Sequence, residues 1–306
     1  MARTRFAPDR GLTSRMLVTM FLIGLLYVVV VGALLVFLKG AWLIILLIAG
    51  GLFIAQFWFS DRIAAFSMGA REVTPEESPE LHGTIDRLCV LADMQKPKVA
   101  VAQSDIPNAF ATGRNEKNAV VCVTTGLLRR LEPEELEGVL AHELSHVAHK
   151  DVMVMTIAGF LGVLAGVITR IGVQFGLFGG FSSRDDRDGD SGAMTALIVI
   201  GASAVVYSIS FLLTRLLSRY RELAADRAAA LLTGRPSALA SALTKVSGEM
   251  AAIPTQDLRR AQPFNAFYFA PAVSARQMAS QAFSTHPSLQ QRLEQLGEIS
   301  AQLGRS

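Results

Sequence analysis

Four long apolar stretches constrain this chain more than any other feature of its sequence. Met16–Leu38, Gly40–Phe59, Val152–Thr169 and Ala193–Leu213 are each long enough, at 1.5 Å per helical residue, to cross a hydrocarbon layer about 30 Å thick. Only Lys39 separates the first two, so they read as a tight hairpin of transmembrane helices. The first run is too long for the apolar segment of a secretory leader and lacks a small-residue cleavage pattern after it. Hydrophobic residues make up 51% of the 306 positions and charged residues 18%, against about 25% charged in an average soluble domain. That balance excludes a disordered chain and argues against an ordinary soluble enzyme. The net charge of +3 comes with no dense Lys/Arg run carrying interleaved aromatics, so no nucleic-acid partner is expected. The partner these stretches imply is a lipid bilayer. Cys89 and Cys122, the only two cysteines, lie in apolar runs and read as buried free thiols in a reducing compartment.

Basic residues beside the spans set an orientation. Arg3, Arg5, Arg10 and Arg15 precede the first span, Arg62 and Arg71 follow the second, Lys150 precedes the third, and Arg215, Arg219 and Arg221 follow the fourth. The other side carries Lys39 and the acidic loop around 179–192, where Asp185, Asp186, Asp188 and Asp190 outnumber Arg184 and Arg187. Both termini and the segments 61–151 and 214–306 are therefore expected in the cytoplasm. The expected organisation is a tail and hairpin over 1–60, two halves of one cytoplasmic domain at 61–151 and 214–306, and a second pair of spans within 152–213.

The first half reads as α+β. Ser78-Pro79-Glu80 signals a helix start, with Leu81, Ile85, Leu88 and Ala92 at helical spacing. Val99–Ala102 and Ala119–Val123 read as short strands, and 107–123 as a hairpin. Pro133-Glu134-Glu135 opens a helix expected to reach at least His149. The second half reads as helices at 216–232, 237–250 and 288–303, with an irregular stretch at 254–271.

The chemistry concentrates on one of these helices, where His142, Glu143 and His146 form an HExxH pattern. Residues four apart share a helix face, so the two imidazoles converge on one point, while the carboxylate between them is turned about 100° aside. That arrangement suits a metal held by two histidines, with a nearby base that reaches water without ligating the ion. Three residues compete for the third ligand. His149 shares the face of His142, but one straight helix wraps three side chains around a tetrahedral ion with difficulty. Asp151 sits at the membrane boundary and is poorly aimed. Glu222, favoured here, lies on another helix one turn before Asp226. Asp226 could then accept the remaining ring N–H of a ligand histidine, or be a solvated surface carboxylate; no Lys or Arg three or four residues away pairs with it.

With those residues in view, the chain resembles the HtpX family of membrane-bound zinc metalloproteases and, more distantly, the CAAX prenyl proteases. The matching pieces are HELSH at 142–146 with Asp151 after it, SRYRELAAD at 218–226, NAFATG at 108–113 and THPS at 285–288. The resemblance implies an integral membrane, mainly α-helical protein: four transmembrane helices with a cytoplasmic α+β zincin-like domain of the gluzincin type. It implies one Zn²⁺ per chain held by His142, His146 and Glu222, Glu143 as general base, and a location in the bacterial inner membrane. The implied role is degradation of misfolded or damaged membrane proteins. His286 is expected either to stabilise the oxyanion or to cap the last helix, which Pro287 opens. Asn108, Ala109, Phe110 and Ala111 resemble an edge strand that pairs with an extended substrate, with a core strand as the alternative. The competing functional readings are an intramembrane zinc protease, disfavoured by the acidic lead-in Glu132, Glu134, Glu135 and Glu137, and an inert membrane scaffold or transporter with a structural metal site.

Overall fold

The computed structural model describes residues 10–37, 47, 49–55, 58, 69–113, 115–178, 189–252, 269 and 286–304. The chain runs from a long helix, α1 (Arg10–Phe37), into a four-stranded sheet: β1 (Ala70–Glu72), β2 (Lys98–Ala102), β3 (Ala109–Thr112) and β4 (Val120–Thr124). Helix α2 (Pro79–Ala92) lies between β1 and β2. Helices α3 (Pro133–Ala148), α4 (Asp151–Phe178), α5 (Gly189–Thr233), α6 (Pro236–Ala252) and α7 (Leu289–Leu303) follow the sheet. The strand order is β1-β2-β4-β3, with β2 and β4 parallel and both outer strands antiparallel to their neighbours. β3 is therefore an edge strand, joined to β4 as the expected hairpin.

The core of the α+β half forms where apolar stripes from several elements meet. Ile85 and Leu88 of α2, Val121 and Val123 of β4, Leu140 and Leu144 of α3, Leu239 and Leu243 of α6, and Leu296 of α7 are all essentially sealed from solvent. Each such side chain contributes about 1.5–3 kcal/mol over its exposed state. α3 begins with Pro133 at its first turn, where the N–H of Glu132 donates to Glu135 Oε2 at 2.9 Å. It packs so tightly on α6 that a Cβ on Gly138 would stand 3.3 Å from Leu239. It stops at Ala148, one residue short of expectation, because Lys150 takes a left-handed backbone (φ 56°). α4 then departs at 62° to α3.

The apolar helices behave differently from this core. Phe21 and Val28 of α1 are each 69% exposed and Val205 of α5 58%, a pattern suited to hydrocarbon rather than water. α1, α4 and α5 meet around Ile23, Ala158 and Leu217. The Tyr27 hydroxyl donates to the Ile157 carbonyl at 2.7 Å and accepts the Leu161 N–H at 2.8 Å, so it bridges one turn of α4. Among the described residues, Arg10–Gly32 and Ile200–Thr233 are each long and apolar enough to cross a membrane, and the bent pair Pro133–Ala148 plus Asp151–Gly166 makes up to three. Four spans were expected. The second, 40–59, and the outer loop around 179–192 lie largely outside the described residues, although 49–55 is helical. The expected break between the fourth span and the helix at 216–232 is absent: α5 runs unbroken for 45 residues. Its apolar run ends at Leu213, but no Gly or Pro follows before Gly234, so the backbone has no reason to stop where hydropathy does.

Candidate metal centre

α3 and α5 cross so that three side chains converge. One ligand atom from each of His142, His146 and Glu222 lies within 4.8 Å of the others. His142 Nε2 and His146 Nε2 are 3.2 Å apart. Glu222 Oε2 stands 3.7 Å from the first, and Oε1 3.5 Å from the second. Nitrogen and oxygen ligands about 2.0–2.2 Å from a tetrahedral ion would be separated by roughly 3.3–3.6 Å. The triangle therefore has the size of a metal-ligand set.

The outer contacts of the rings sharpen that fit. His142 Nδ1 lies 2.9 Å from Asp226 Oδ1, and His146 Nδ1 donates to Asp151 Oδ2 at 2.6 Å. With each proton assigned to Nδ1, the two Nε2 lone pairs face one another, an arrangement that a cation between them satisfies. Burial holds both imidazoles in the neutral form, depressing His142 and bringing His146 to about 4. Burial pushes Glu222 up most strongly, but His286, His146 and His142 together outweigh it and keep that carboxyl well below the usual range. A neutral N,N pair with a carboxylate oxygen fits a divalent ion of borderline softness.

Glu143, 4% exposed, lines the same cavity without belonging to the triangle and accepts the Ala111 N–H of β3. Burial and then the neighbouring Glu222 push its carboxyl well above the ordinary value, against the pull of Ala111 and Arg292. His286 is buried, with Nδ1 3.0 Å from Glu222 Oε2. It does not cap the last helix. Ser288 does, with its Oγ accepting the Gln291 N–H at 3.2 Å, and this leaves His286 directed into the site.

The two other candidates for the third ligand take supporting positions. His149 caps α3 and its carbonyl accepts Arg221 Nη2 at 3.2 Å. Asp151, placed by the 62° bend, serves as the acceptor for His146. Asp226 is not a solvated carboxylate. It is fully buried and receives Arg292 Nε and Nη2, each at 2.6 Å, besides His142. Its cation comes from α7 rather than from its own helix. Ala109, Phe110 and Ala111 line a cavity of about 350 Å³ that the triangle shares with Val152 and Met155 of α4. Asn108 does not line it. Its side chain is buried, and its Oδ1 accepts the Phe269 N–H at 2.9 Å.

Sequence reasoning missed Arg221, Arg292 and Phe269. Phe269 sets its ring edge-to-face on His142, with centroids 5.2 Å apart, and its carbonyl accepts Arg292 Nη1 at 2.9 Å. The available signal for Arg292 was its place in the apolar stripe Leu289, Leu296, Ile299 of α7, where a solvated Arg has no reason to stand. For Phe269 only the local density of aromatics in 264–269 pointed to a buried anchor.

Fold and site together define a membrane-associated metallopeptidase. The family model for peptidase family M48 matches residues 75–300. Over 304 residues the chain is 63% identical to "Protease HtpX homolog 1" of Streptomyces coelicolor, covering 99% of this chain and 98% of that one. It is 47% identical to the Moorella thermoacetica "Protease HtpX homolog", with 98% of each covered. The fold is also that of the S. mikatae Ste24p crystal structure, at 21% identity and a TM-score of 0.54, spanning 92% of this chain and 67% of that one. The chain belongs to peptidase family M48, as its resemblance to HtpX proteases implied.

Proposed function

We propose that this chain is a zinc endopeptidase that cuts misfolded or damaged membrane proteins at the cytoplasmic face of the bacterial inner membrane. Its proposed organisation is four spans, with the halves 61–151 and 214–306 joined on the cytoplasmic side. The observation that carries this reading is the pair of facing Nε2 atoms 3.2 Å apart, closed by Glu222 and flanked by a buried carboxyl that is not part of the triangle.

His142, His146 and Glu222 would hold the ion. Bound there, zinc supplies a water of pKa near 7 and polarises the scissile carbonyl. Glu143 takes the proton that the attacking water loses as its oxygen bonds the carbonyl carbon, and hands it to the leaving nitrogen as the C–N bond breaks. The raised affinity of Glu143 for a proton supports that role. His286, beside Glu222, is the side chain assigned to the developing oxyanion. The outer edge of β3 would offer the backbone of Ala109 and the Ala111 carbonyl to an extended chain, the Ala111 N–H being held by Glu143.

Metal analysis and proteolysis of an unfolded membrane-protein substrate test the reading. Glu143→Gln is expected to keep its zinc and lose at least about 100-fold in cleavage rate, while Glu222→Ala loses most of the metal. A Glu143→Gln protein that cleaves at the wild-type rate would overturn the role given to Glu143, and a zinc-loaded wild-type chain that leaves the substrate intact would favour an inert scaffold.

A further inference from the structure

We propose that Arg221 is a positioning residue of the metal centre, clamping the bend between α3 and α4 so that Asp151 holds His146 ready to ligate. This rests on the metal-centre reading given above and extends it to a residue outside the ligand triangle.

The two ligand histidines are supported in different ways. His142 leans on Asp226, which stands one turn beyond Glu222 on the same helix and is locked by Arg292. Nothing equivalent lies within α3 for His146. Its acceptor, Asp151, is the first residue of α4, beyond the left-handed Lys150 and across a 62° change of direction. The position of that carboxylate therefore follows α4, the helix that carries the third apolar stretch, rather than the helix that bears the ligand.

One side chain spans the gap. The Arg221 guanidinium pairs with Asp151 Oδ1, while Asp151 Oδ2 takes the His146 proton. It also donates to the carbonyl of His149, the residue that closes α3. Arg221 thus grips the last residue before the bend and the first residue after it. It does so from α5, immediately before Glu222, and is only 9% exposed. The α3 terminus, the α4 start and the helix of the third ligand all meet on one nitrogen of this guanidinium, Nη2. A lysine at 221 could bring a point charge to Asp151 but lacks the planar group whose fixed N–H directions aim at both acceptors. The remainder of α4 is held laterally by Tyr27 and by the Thr214 hydroxyl, which donates to the Ala158 carbonyl at 3.2 Å. Arg221 is thus the contact that ties this membrane-side assembly to the orientation of His146.

The test uses the full chain in detergent, with zinc affinity read by competition against a chromophoric chelator at a temperature where the metal-stripped protein keeps its full helical circular dichroism. Losing an outer partner of a ligand histidine typically costs 10- to 100-fold in metal affinity. Arg221→Met and Asp151→Asn are each expected to lose that much. The double variant should be no weaker than the poorer single one, since both act along one path. Arg221→Lys should recover part of the loss, and the cobalt-substituted absorption bands should shift in Arg221→Met. Wild-type zinc affinity in Arg221→Met, or losses that multiply in the double variant, would overturn the proposal. Should Arg221→Met fail to fold, the near-isosteric Asp151→Asn tests the same contact, and wild-type zinc affinity in that variant overturns the proposal equally. A wild-type chain that binds no zinc would instead overturn the metal-centre reading beneath it.

Discussion

Asp226→Asn is the substitution that most directly separates stability from metal binding in this protein. The Asp226 carboxylate is sealed from solvent, accepts two hydrogen bonds from Arg292 at 2.6 Å and has His142 Nδ1 2.9 Å away. All three partners are donors. Asparagine keeps the shape but presents one acceptor oxygen and an NH₂ that must face a donor, so the buried Arg292 charge loses its counter-ion. Removing one partner of a buried pair costs about 3–5 kcal/mol. At roughly 2–4 °C per kcal/mol for a domain of this size, the midpoint should fall by about 6–20 °C. The assay is circular dichroism at 222 nm during heating of metal-stripped protein in detergent, so that metal affinity does not contribute. Replacing both charged partners, as in Asp226→Leu with Arg292→Met, should recover most of that stability, because apolar groups of similar volume remove the desolvation cost along with the attraction. Zinc affinity should nevertheless stay 10- to 100-fold below wild type, since His142 has lost the acceptor that orients it. A single variant that melts within about 3 °C of wild type, or a double variant with full metal affinity, would refute this account of the pair.

Two further outcomes follow from buried titratable groups. Burial pushes Cys122 up to about 12 and Cys89 up to about 11, so neither thiol should react with iodoacetamide in mildly alkaline buffer until guanidinium unfolds the chain; alkylation of the folded protein at a free-thiol rate would contradict this. Glu135 is raised by burial but lowered more by Lys245, Ser241 and the Glu132 N–H together, so its folded pKa lies below its unfolded one. Its contribution is therefore present at neutral pH and lost as pH falls through the depressed value. A Glu135→Gln variant should lack that part of the acid-induced drop in melting temperature, and an unchanged acid limb would count against the assignment.

Local features were the most legible part of this chain. Pro133-Glu134-Glu135 announced α3 because an N-terminal proline and an acidic first turn act within a few residues, and Glu135 does bond the Glu132 N–H. His142 and His146 could be paired because four residues make about one turn, and Glu222 with Asp226 for the same reason. What escaped were the partners supplied from a distance. Arg292 reaches Asp226 across 66 positions, and Arg221 reaches the His149 carbonyl across 72. Asp151 was weighed as a ligand and set aside. Its true orientation depends on a left-handed lysine and a 62° bend, neither of which is written in its neighbours. The continuity of α5 was obscured because a fall in hydropathy at Leu213 resembles a boundary, although helix propensity continues through it.

The length of α5 carries a consequence for how this architecture tolerates insertions and deletions. Its 45 residues extend about 67 Å as one rod, with the exposed apolar Val205 and the site carboxylate Glu222 fixed on the same cylinder. Adding or deleting one residue between them swings the carboxylate by about 100° relative to the face that meets hydrocarbon. Seven residues would nearly restore the angle but shift the ligand by about 10 Å along the axis, out of reach of the histidines. Length variation in this part of the chain is therefore barred by angular and axial phase alike, and belongs in the connections before Gly189 and after Thr233, where neither is counted.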